Sequence, residues 1–234
     1  MEDGAARPGA RRMMGQAGVA KSGFCLSIWV CVLLVAIVAV IAWGVASGQI
    51  EGVDRSLIYA AQGLPDRAAS AITRAGDTEW RFAVAAAVAL ALLFARDRAG
   101  ALFLIGAVAG GAGFNTLLKQ GFARPRPDLL PHLDMVHSSS FPSGHSAGAL
   151  VLGFGLALVA VRHGAGRVMA FALAGVFAVL VGVSRVVLAV HWPSDVVAGW
   201  SAGALWLIGC AMAFAQATGS PVSASFRPVR RPAR

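Results

Sequence analysis

The sequence predicts an all-α membrane protein with six transmembrane helices whose outward ends carry a candidate active site. The chain has 234 residues, of which 57% are apolar and only 13% charged, and its mean hydropathy is +0.70. A soluble domain usually has about 25% charged residues, so this chain has too little polar surface for a water-exposed globule. Several uncharged runs are long enough to cross about 30 Å of hydrocarbon. The composition also excludes disorder, collagen-like repeats and a disulfide scaffold.

The first predicted span follows a polar N-terminal tail, residues 1–22. Residues 24–46 form a run of 23 residues without a charge. A signal peptide is the alternative, because basic residues precede the run and small residues follow it. A signal core usually has only about 7 to 15 apolar residues, so we expect a retained anchor. We therefore place the start of the membrane domain at residue 23 and its end at residue 215.

Residues 47–81 are moderately amphipathic and are interrupted at Pro65. This pattern favours short helices that lie at the membrane interface. Residues 82–95 are a short second span, with Trp80 at the interface and Arg81 expected to snorkel from its end.

The third predicted span covers residues 99–118, and its glycines (Gly106, Gly110, Gly111 and Gly113) indicate close helix packing. The remaining spans are predicted at residues 146–161, 168–183 and 196–215. Residues 216–234 form a basic tail that is expected to be disordered.

The distribution of charge predicts the orientation. The two tails and the turns at 96–98 and 162–167 contain 12 of the 20 Lys and Arg residues but only 3 of the 11 acidic residues. The positive-inside rule therefore places both termini in the cytoplasm, and segments 47–81, 119–145 and 184–195 outside it. The pI near 11.1 is thus explained by topology. We expect no nucleic-acid partner, because an aromatic-studded basic groove is missing.

Three polar motifs lie in the outward loops. The first runs from Lys119 to Pro127, and its alternating Arg and Pro residues favour an extended backbone that displays Arg124 and Arg126. Guanidinium and ammonium groups bind phosphate oxygens. Taken alone, these cations are explained equally well as snorkelling residues at the interface.

The second motif is Pro142-Ser143-Gly144-His145, directly before the fourth span. Ser143 is a suitable N-cap, and the free N–H groups of a helix start favour an anion. His145 would then be within reach to donate a proton near neutral pH. A capped helix with an exposed histidine fits this tetrapeptide nearly as well.

The third motif is Ser184-Arg185, five residues, and then His191 to Asp195, with Pro193 placed for the first turn of a helix. An aspartate that accepts from one imidazole nitrogen makes the other a better nucleophile. A structural His–Asp pair that caps a helix is the alternative.

In order and spacing, these motifs resemble the type 2 phosphatidic acid phosphatase (PAP2) family, which shares its site with vanadium haloperoxidases and bacterial acid phosphatases. The family pattern is Lys, six residues, Arg-Pro; Pro-Ser-Gly-His; and Ser-Arg, five residues, His, three residues, Asp. This chain matches it without departure. The resemblance covers roughly residues 80–215 and implies a core of the same type in an integral-membrane lipid phosphatase.

The resemblance implies a role for each motif residue. His191 takes the phosphoryl group, Asp195 orients it, and His145 protonates the leaving group and then activates water. Five residues are implied to hold the phosphate oxygens: Lys119, Arg126, Arg185, Ser143 and Gly144. Three fixed cations and a helix N-terminus supply the stabilisation that other phosphoryl-transfer enzymes obtain from Mg²⁺, so we expect no metal and no cofactor. Arg124 is a secondary candidate. His132 and His137 could touch a lipid headgroup but are better explained as solvated loop residues, and His163 lies on a predicted cytoplasmic turn away from the site.

These features lead to the hypothesis of a membrane phosphatase that acts through a phosphohistidine. The candidate substrates are undecaprenyl pyrophosphate, phosphatidic acid, phosphatidylglycerophosphate and lipid A phosphates. The composition and the outward site suggest the bacterial inner membrane and slightly favour the isoprenyl carrier. A lipid phosphotransferase with the same site is an alternative, as is a non-catalytic lipid-binding or transport protein. The latter would not need both histidines and Asp195. The sequence leaves the oligomeric state open.

Overall fold

The computed structural model describes residues 28–136, 138–161, 164–220 and 222. These residues form eight helices and no strand, as the sequence predicts. The tail at 1–22, the first residues of the apolar run, nearly all of 221–234, and His137 and His163 lie outside the described residues. The helices are α1 (Ile28–Ala46), α2 (Glu51–Ala61), α3 (Asp66–Arg74), α4 (Thr78–Phe94), α5 (Arg98–Phe122), α6 (Gly144–Ala160), α7 (Ala165–Val187) and α8 (Pro193–Thr218).

Four of the described helices are long and apolar enough to cross a membrane: α1, α5, α7 and α8. Helix α6 is apolar but has only 17 residues. Helix α4 also has 17 residues, and its first turn includes Glu79 and Arg81. The described helices therefore account for four full-length spans and a shorter apolar helix, and the count of six stays a prediction. Helices α5 and α7 are longer than the predicted spans. The predicted spans end at the first polar residues, but Lys119 and Arg185 lie in the last turns of these helices.

Local capping fixes several helix ends. The side chain of Ser143 accepts a hydrogen bond from the backbone N–H of Ser146, so the predicted N-cap of α6 is confirmed. Pro193 is the first residue of α8, also as predicted, because its missing N–H costs nothing in a first turn. Helix α5 ends at Phe122, and the next residue, Ala123, has a left-handed backbone with φ of 46°. The polar loop that follows therefore begins four residues later than expected.

Helix α6 lies at the centre of the bundle, where it packs against α5, α7 and α8. Its backbone is very close to α8: a Cβ atom on Gly199 would lie 2.5 Å from the carbonyl oxygen of Ser143, and one on Gly203 would lie 2.8 Å from that of Ala147. Small residues of this kind allow helix backbones to approach in membrane proteins. The close contact sets the beginning of α8 against the beginning of α6.

The glycines of α5 only partly follow the prediction. Gly110 and Gly111 pack against the indole ring of Trp206 on α8, within 2.4 Å and 3.2 Å of where a Cβ would lie. Within the described part of the chain, a Cβ on Gly106 or Gly113 would meet nothing within 4 Å. These two glycines lie on other faces of α5, so the expectation that they mediate packing was wrong.

The segment between the first two apolar runs forms α2 and α3, with the predicted break at Pro65. Helix α3 packs against the end of α7. Asp54 on α2 and Thr73 on α3 are buried, although an interfacial helix is expected to bury only its apolar face. The placement of this segment at a membrane interface stays a prediction, but its polar residues take part in the interior of the protein.

The α6–α8 contact gives a test of the packing. We expect Gly203→Ala to destabilise the protein by about 1 to 3 kcal/mol, because the new methyl group must push two helix backbones apart. Gly209→Ala on the same helix is the matched control, since a Cβ there meets nothing within 4 Å among the described residues. It should be neutral or stabilising, because alanine favours helix by about 1 kcal/mol. Thermal unfolding in detergent measures both, and equal effects would contradict the close contact.

Candidate active site

One cavity of about 620 Å³ opens at the end of the bundle where α5 and α7 finish and α6 and α8 begin. We call it the active-site cavity. Six of the eight predicted site residues line it: Lys119, Arg126, Gly144, His145, Arg185 and His191. Ser143 and Asp195 are buried behind the wall. Residues that are 76 positions apart in the chain are thus brought to one site by helix ends that meet at the same level.

A sharp turn after α7 brings His191 back beside Arg185. Ala189 has a left-handed backbone with φ of 55°. The N–H groups of Val190 and His191 then both donate to the carbonyl oxygen of Arg185, at 3.2 and 3.3 Å. Because the turn is closed by backbone bonds, the imidazole is placed next to the guanidinium groups before any ligand binds.

The hydrogen bonds of His191 define its tautomer. Nε2 lies 3.2 Å from Nη1 of Arg126. A guanidinium group can only donate, so Nε2 must accept and Nδ1 must carry the proton. Nδ1 lies 3.3 Å from Oγ of Ser140 and 3.5 Å from Oδ2 of Asp195. Ser140 in turn donates to Oδ2 of Asp195 at 2.5 Å, so the hydroxyl bridges the imidazole and the carboxylate.

The protonation of His191 agrees with this geometry. Complete burial lowers its pKa from 6.5 to about 3, and the nearby charge of Arg126 acts in the same direction. The contact with Asp195 opposes the shift but does not overcome it. His191 is therefore neutral near pH 7, with a lone pair on Nε2.

Asp195 is the centre of a buried ion cluster. Its Oδ1 accepts from Nη1 of Arg124 at 2.5 Å, and its Oδ2 accepts from the backbone N–H of Trp192 at 3.0 Å. Nη2 of Arg124 also reaches Oδ2 of Asp54 at 2.9 Å, and Asp54 accepts from the N–H and hydroxyl of Ser194. Arg124, considered above as a secondary phosphate ligand, does not line the cavity; it holds two carboxylates in the protein interior.

The three predicted phosphate cations are held by different partners. Nζ of Lys119 donates to the carbonyl oxygen of Ser139. Arg126 donates to the carbonyl oxygens of Ser138 and Val190 at 2.9 and 2.6 Å. Burial and the neighbouring charge of Arg185 lower the pKa of Arg126 to about 10, which still leaves it charged near pH 7.

Arg185 is the most deeply buried of the three cations. Its Nη1 donates to Oγ1 of Thr73 at 2.6 Å and to Oδ2 of Asp134 at 2.5 Å. Burial would raise the pKa of Asp134, but the hydrogen bond and charge of Arg185 outweigh it and keep the pKa below its ordinary value. Among the described residues, Nε of Arg185 is a buried donor without a hydrogen-bond partner. Arg185 is therefore held in place by its two hydrogen bonds and keeps a donor that an anion could pair with.

His145 is paired with an acid that the sequence motifs do not include. Its Nε2 lies 2.9 Å from Oδ1 of Asp77, in the turn between α3 and α4. Burial, and then repulsion from Asp134, raises the pKa of Asp77 above its usual value, while Arg185 and other arginines oppose the shift. The carboxylate is placed to hold the Nε2 side of the ring and so to orient His145.

The first turn of α6 is packed against α5. A Cβ on Gly144 would lie 3.1 Å from Nδ2 of Asn115 and 3.8 Å from Cε of Lys119, so this position leaves little room for a side chain. The N–H of Ser143 donates to the carbonyl oxygen of Asp195 at 2.9 Å. Ser143 therefore supports the wall from behind, and Gly144 forms part of it.

Sequence reasoning missed several residues of the site. Asp54, Thr73 and Asp77 all come from the segment expected at the interface, and Ser140 and Asp134 come from the loop between the first two motifs. Arg81 was expected to snorkel, but its side chain is buried, 5% exposed, and lines the cavity. The available signal was weak: an ionisable residue inside a membrane helix indicates a functional site, but one at the end of an apolar run, as Arg81 is in the sequence, is usually explained by snorkelling. Among the described residues, no group of three or more His, Cys, Asp or Glu side chains is arranged to hold a metal ion.

The sequence also matches the PAP2 superfamily over residues 100–218, a range that contains all three motifs. The chain belongs to this superfamily, and it is an integral membrane protein whose homologues are lipid phosphatases. Phosphatidylglycerophosphatase B of Bacillus subtilis is 32% identical over 161 residues, 66% of this chain and 78% of that protein. Lipid A 1-phosphatase of Rhizobium johnstonii is 35% identical over 111 residues, 43% of this chain and 42% of that protein.

Two solved structures are similar in fold. The transmembrane PAP2 type phosphatidylglycerolphosphate phosphatase from Bacillus subtilis has a TM-score of 0.72 and 28% identity, covering 80% of this chain and 96% of that one. Aquifex aeolicus LpxE has a TM-score of 0.54 and 24% identity, covering 66% of this chain and 92% of that one, and supports the fold alone. The superfamily match, the Bacillus subtilis relative and the first of these structures confirm the predicted family.

The ion cluster behind the cavity gives a second test. We expect Asp54→Asn to destabilise the protein by about 3 to 5 kcal/mol, because it leaves Arg124 with an incomplete set of buried partners. Glu51→Gln on the same helix is the matched control: Glu51 pairs with Arg55 at 2.6 Å, but both side chains are about half exposed. Exposed pairs contribute about 0 to 1 kcal/mol. Equal losses in thermal stability would show that the buried cluster does not stabilise the fold.

Proposed function

We propose that this protein is a membrane phosphatase that hydrolyses a lipid phosphate or diphosphate through a phosphohistidine on His191. The observation that carries the proposal is the juxtaposition in one cavity of a neutral imidazole, with its lone pair on Nε2, and three cations, Lys119, Arg126 and Arg185. A buried cationic cavity favours a phosphate dianion, and an adjacent nucleophile is what group transfer requires.

In the first step, a phosphate oxygen takes over the donor on Arg126 that now faces Nε2 of His191. The freed lone pair attacks phosphorus, so that an N–P bond forms while the P–O bond to the lipid breaks. The Nδ1 proton stays hydrogen-bonded towards Ser140 and Asp195, which stabilises the positive charge on the ring. The cations stabilise the charge on the equatorial oxygens of the transition state.

His145 completes the reaction as the proton carrier. Held by Asp77, it donates a proton to the departing lipid oxygen in the first step. In the second step the neutral imidazole takes a proton from water, whose oxygen attacks phosphorus. The N–P bond breaks, its electron pair returns to Nε2 of His191, and inorganic phosphate leaves. No step requires a metal ion.

The substrate is proposed to be a lipid of the bacterial envelope. The PAP2 relatives are named as phosphatases of phosphatidylglycerophosphate and lipid A, and phosphatidic acid and undecaprenyl pyrophosphate carry the same terminal phosphate. We further propose six spans in the inner membrane, both termini in the cytoplasm and the cavity facing the periplasm. The surplus of basic residues in the tails and in two turns supports this orientation.

The proposal is tested by phosphate release from a panel of these lipids in detergent. We expect His191→Ala to lower kcat by at least about 1,000-fold, because the nucleophile is lost. His132→Ala is the control for loss of a loop histidine, since His132 is exposed and does not line the cavity. It should change activity by less than about 3-fold. Full activity of His191→Ala would exclude the proposed mechanism.

The same assay tests whether a metal takes part. EDTA should leave the rate of the wild-type protein unchanged, because fixed cations supply the positive charge. A loss of activity with EDTA that added divalent metal restores would contradict this part of the proposal.

A further inference from the structure

Arg81 is a buried cation of the active-site cavity that none of the three motifs contains. It lies in the first turn of α4, lines the cavity, and has 5% of its surface exposed. Its Nε donates to the carbonyl oxygen of Asp77 at 3.4 Å, and its Nη2 donates to Oγ1 of Thr78 at 3.0 Å. Both partners belong to its own turn, so the remaining nitrogen is free to face another element.

That nitrogen is placed against a glycine on α6. A Cβ built on Gly148 would lie 1.2 Å from Nη1 of Arg81, so the guanidinium occupies the space that a side chain at 148 would need. In the described part of the chain, none of the ion pairs within 4.0 Å includes Arg81. A buried charge is costly unless a counter-ion compensates it. The carboxylates of Asp77 and Glu79 act on this charge only at longer range, so Arg81 has no direct counter-ion among the described residues and can bind an anion.

A second unsatisfied polar group lies on the same wall. Asn115, on α5, is 7% exposed and lines the cavity. Among the described residues, its buried Oδ1 has no hydrogen-bond partner. Buried polar atoms in native proteins are nearly always paired, so an unpaired amide on a cavity wall points to a ligand. Rotation of the carboxamide can present either its oxygen or its NH₂ group.

These groups lie beside the phosphate site but deeper in the bundle. Asn115 is four residues before Lys119 on α5, and Gly148 is three residues after His145 on α6. Along the helix axis each position is about one turn, about 5.4 Å, further from the helix end, so Gly148 lies deeper than the phosphate site, while the carboxamide of Asn115 reaches back to Gly144 and borders both. His145 is the proposed proton donor to the leaving group. A ligand group held by Arg81 therefore belongs to the leaving group and not to the phosphate that is transferred.

We propose that Arg81 and Asn115 form a subsite for a second phosphate group, carried by the part of the substrate that leaves. This inference rests on the proposed phosphatase function and assigns its preferred substrate class. Two kinds of lipid supply this chemistry. In a prenyl diphosphate the second phosphate is bonded directly to the first, and in phosphatidylglycerophosphate it is a phosphodiester joined through glycerol. Phosphatidic acid has the terminal phosphate alone.

The experiment compares kcat/KM for three detergent-solubilised substrates: farnesyl diphosphate, phosphatidylglycerophosphate and phosphatidic acid. We expect Arg81→Gln to lower kcat/KM by about 10- to 100-fold for a substrate with a second phosphate, because a hydrogen-bonded charge pair is lost. The loss on phosphatidic acid should be below about 3-fold. Arg67→Gln, at an exposed arginine on α3, is the control and should affect none of the three.

Two further variants keep the test valid if Arg81→Gln does not fold. Gly148→Ala retains the charge but displaces the guanidinium, because the new methyl group overlaps Nη1. It should give the same selective loss. Arg81→Lys should recover part of the activity on the substrates with two phosphates, since it restores the charge without the planar fork.

The outcomes separate the subsite from the function. A selective loss on farnesyl diphosphate alone assigns the prenyl diphosphate, and one on phosphatidylglycerophosphate alone assigns the phosphodiester; a loss on both supports a general second-phosphate subsite. Equal losses on all three substrates, or no loss in Arg81→Gln and Gly148→Ala, would overturn the subsite while the phosphatase stands. Absence of phosphate release by the wild-type protein from all three, and from lipid A in the panel above, would overturn the proposed function itself.

Discussion

The site depends on one buried carboxylate, that of Asp195. It accepts from the N–H of Trp192, the hydroxyl of Ser140 and the guanidinium of Arg124, and it lies 3.5 Å from Nδ1 of His191. A carboxylate can be buried only when its charge and lone pairs are matched in this way. These partners come from three segments of the chain. The hydrogen bonds that stabilise the charge of Asp195 therefore also fix the His191 ring and the start of α8.

Close helix packing makes this arrangement possible. Gly199 and Gly203 let α8 approach α6 until the N–H of Ser143 bonds the carbonyl oxygen of Asp195. The first turns of two helices, and with them the two histidines, are then held at one level. The cavity in front of them is strongly cationic, with acids such as Asp134 and Asp77 paired to individual groups in its wall. Fixed charges of this kind need little reorganisation when an anion binds.

The site residues within the three motifs can be predicted from the sequence, because each motif is short and the roles of its residues follow from their chemistry and spacing. It could not choose between Arg124 and Arg126 by residue type. In an extended segment, residues two apart would share a side, yet Arg126 lines the cavity and Arg124 enters the protein interior. The partner of Arg124 that decides this, Asp54, is 70 positions away. In the sequence, Arg81 is a residue that flanks an apolar run. Only the fold shows that its guanidinium group faces Gly148. Long-range pairing of charges is what a single sequence does not reveal.

The central claim is that a neutral His191, held through Nδ1, accepts the phosphoryl group on Nε2. The most direct measurement is to trap the intermediate with ³²P-labelled substrate, preserve it at alkaline pH and locate the label by peptide mapping and ³¹P NMR. We expect an acid-labile phosphate on Nε2 of His191. A label on Nδ1, a label on His145, or turnover with no phosphoenzyme in a rapid quench of the burst phase would contradict it.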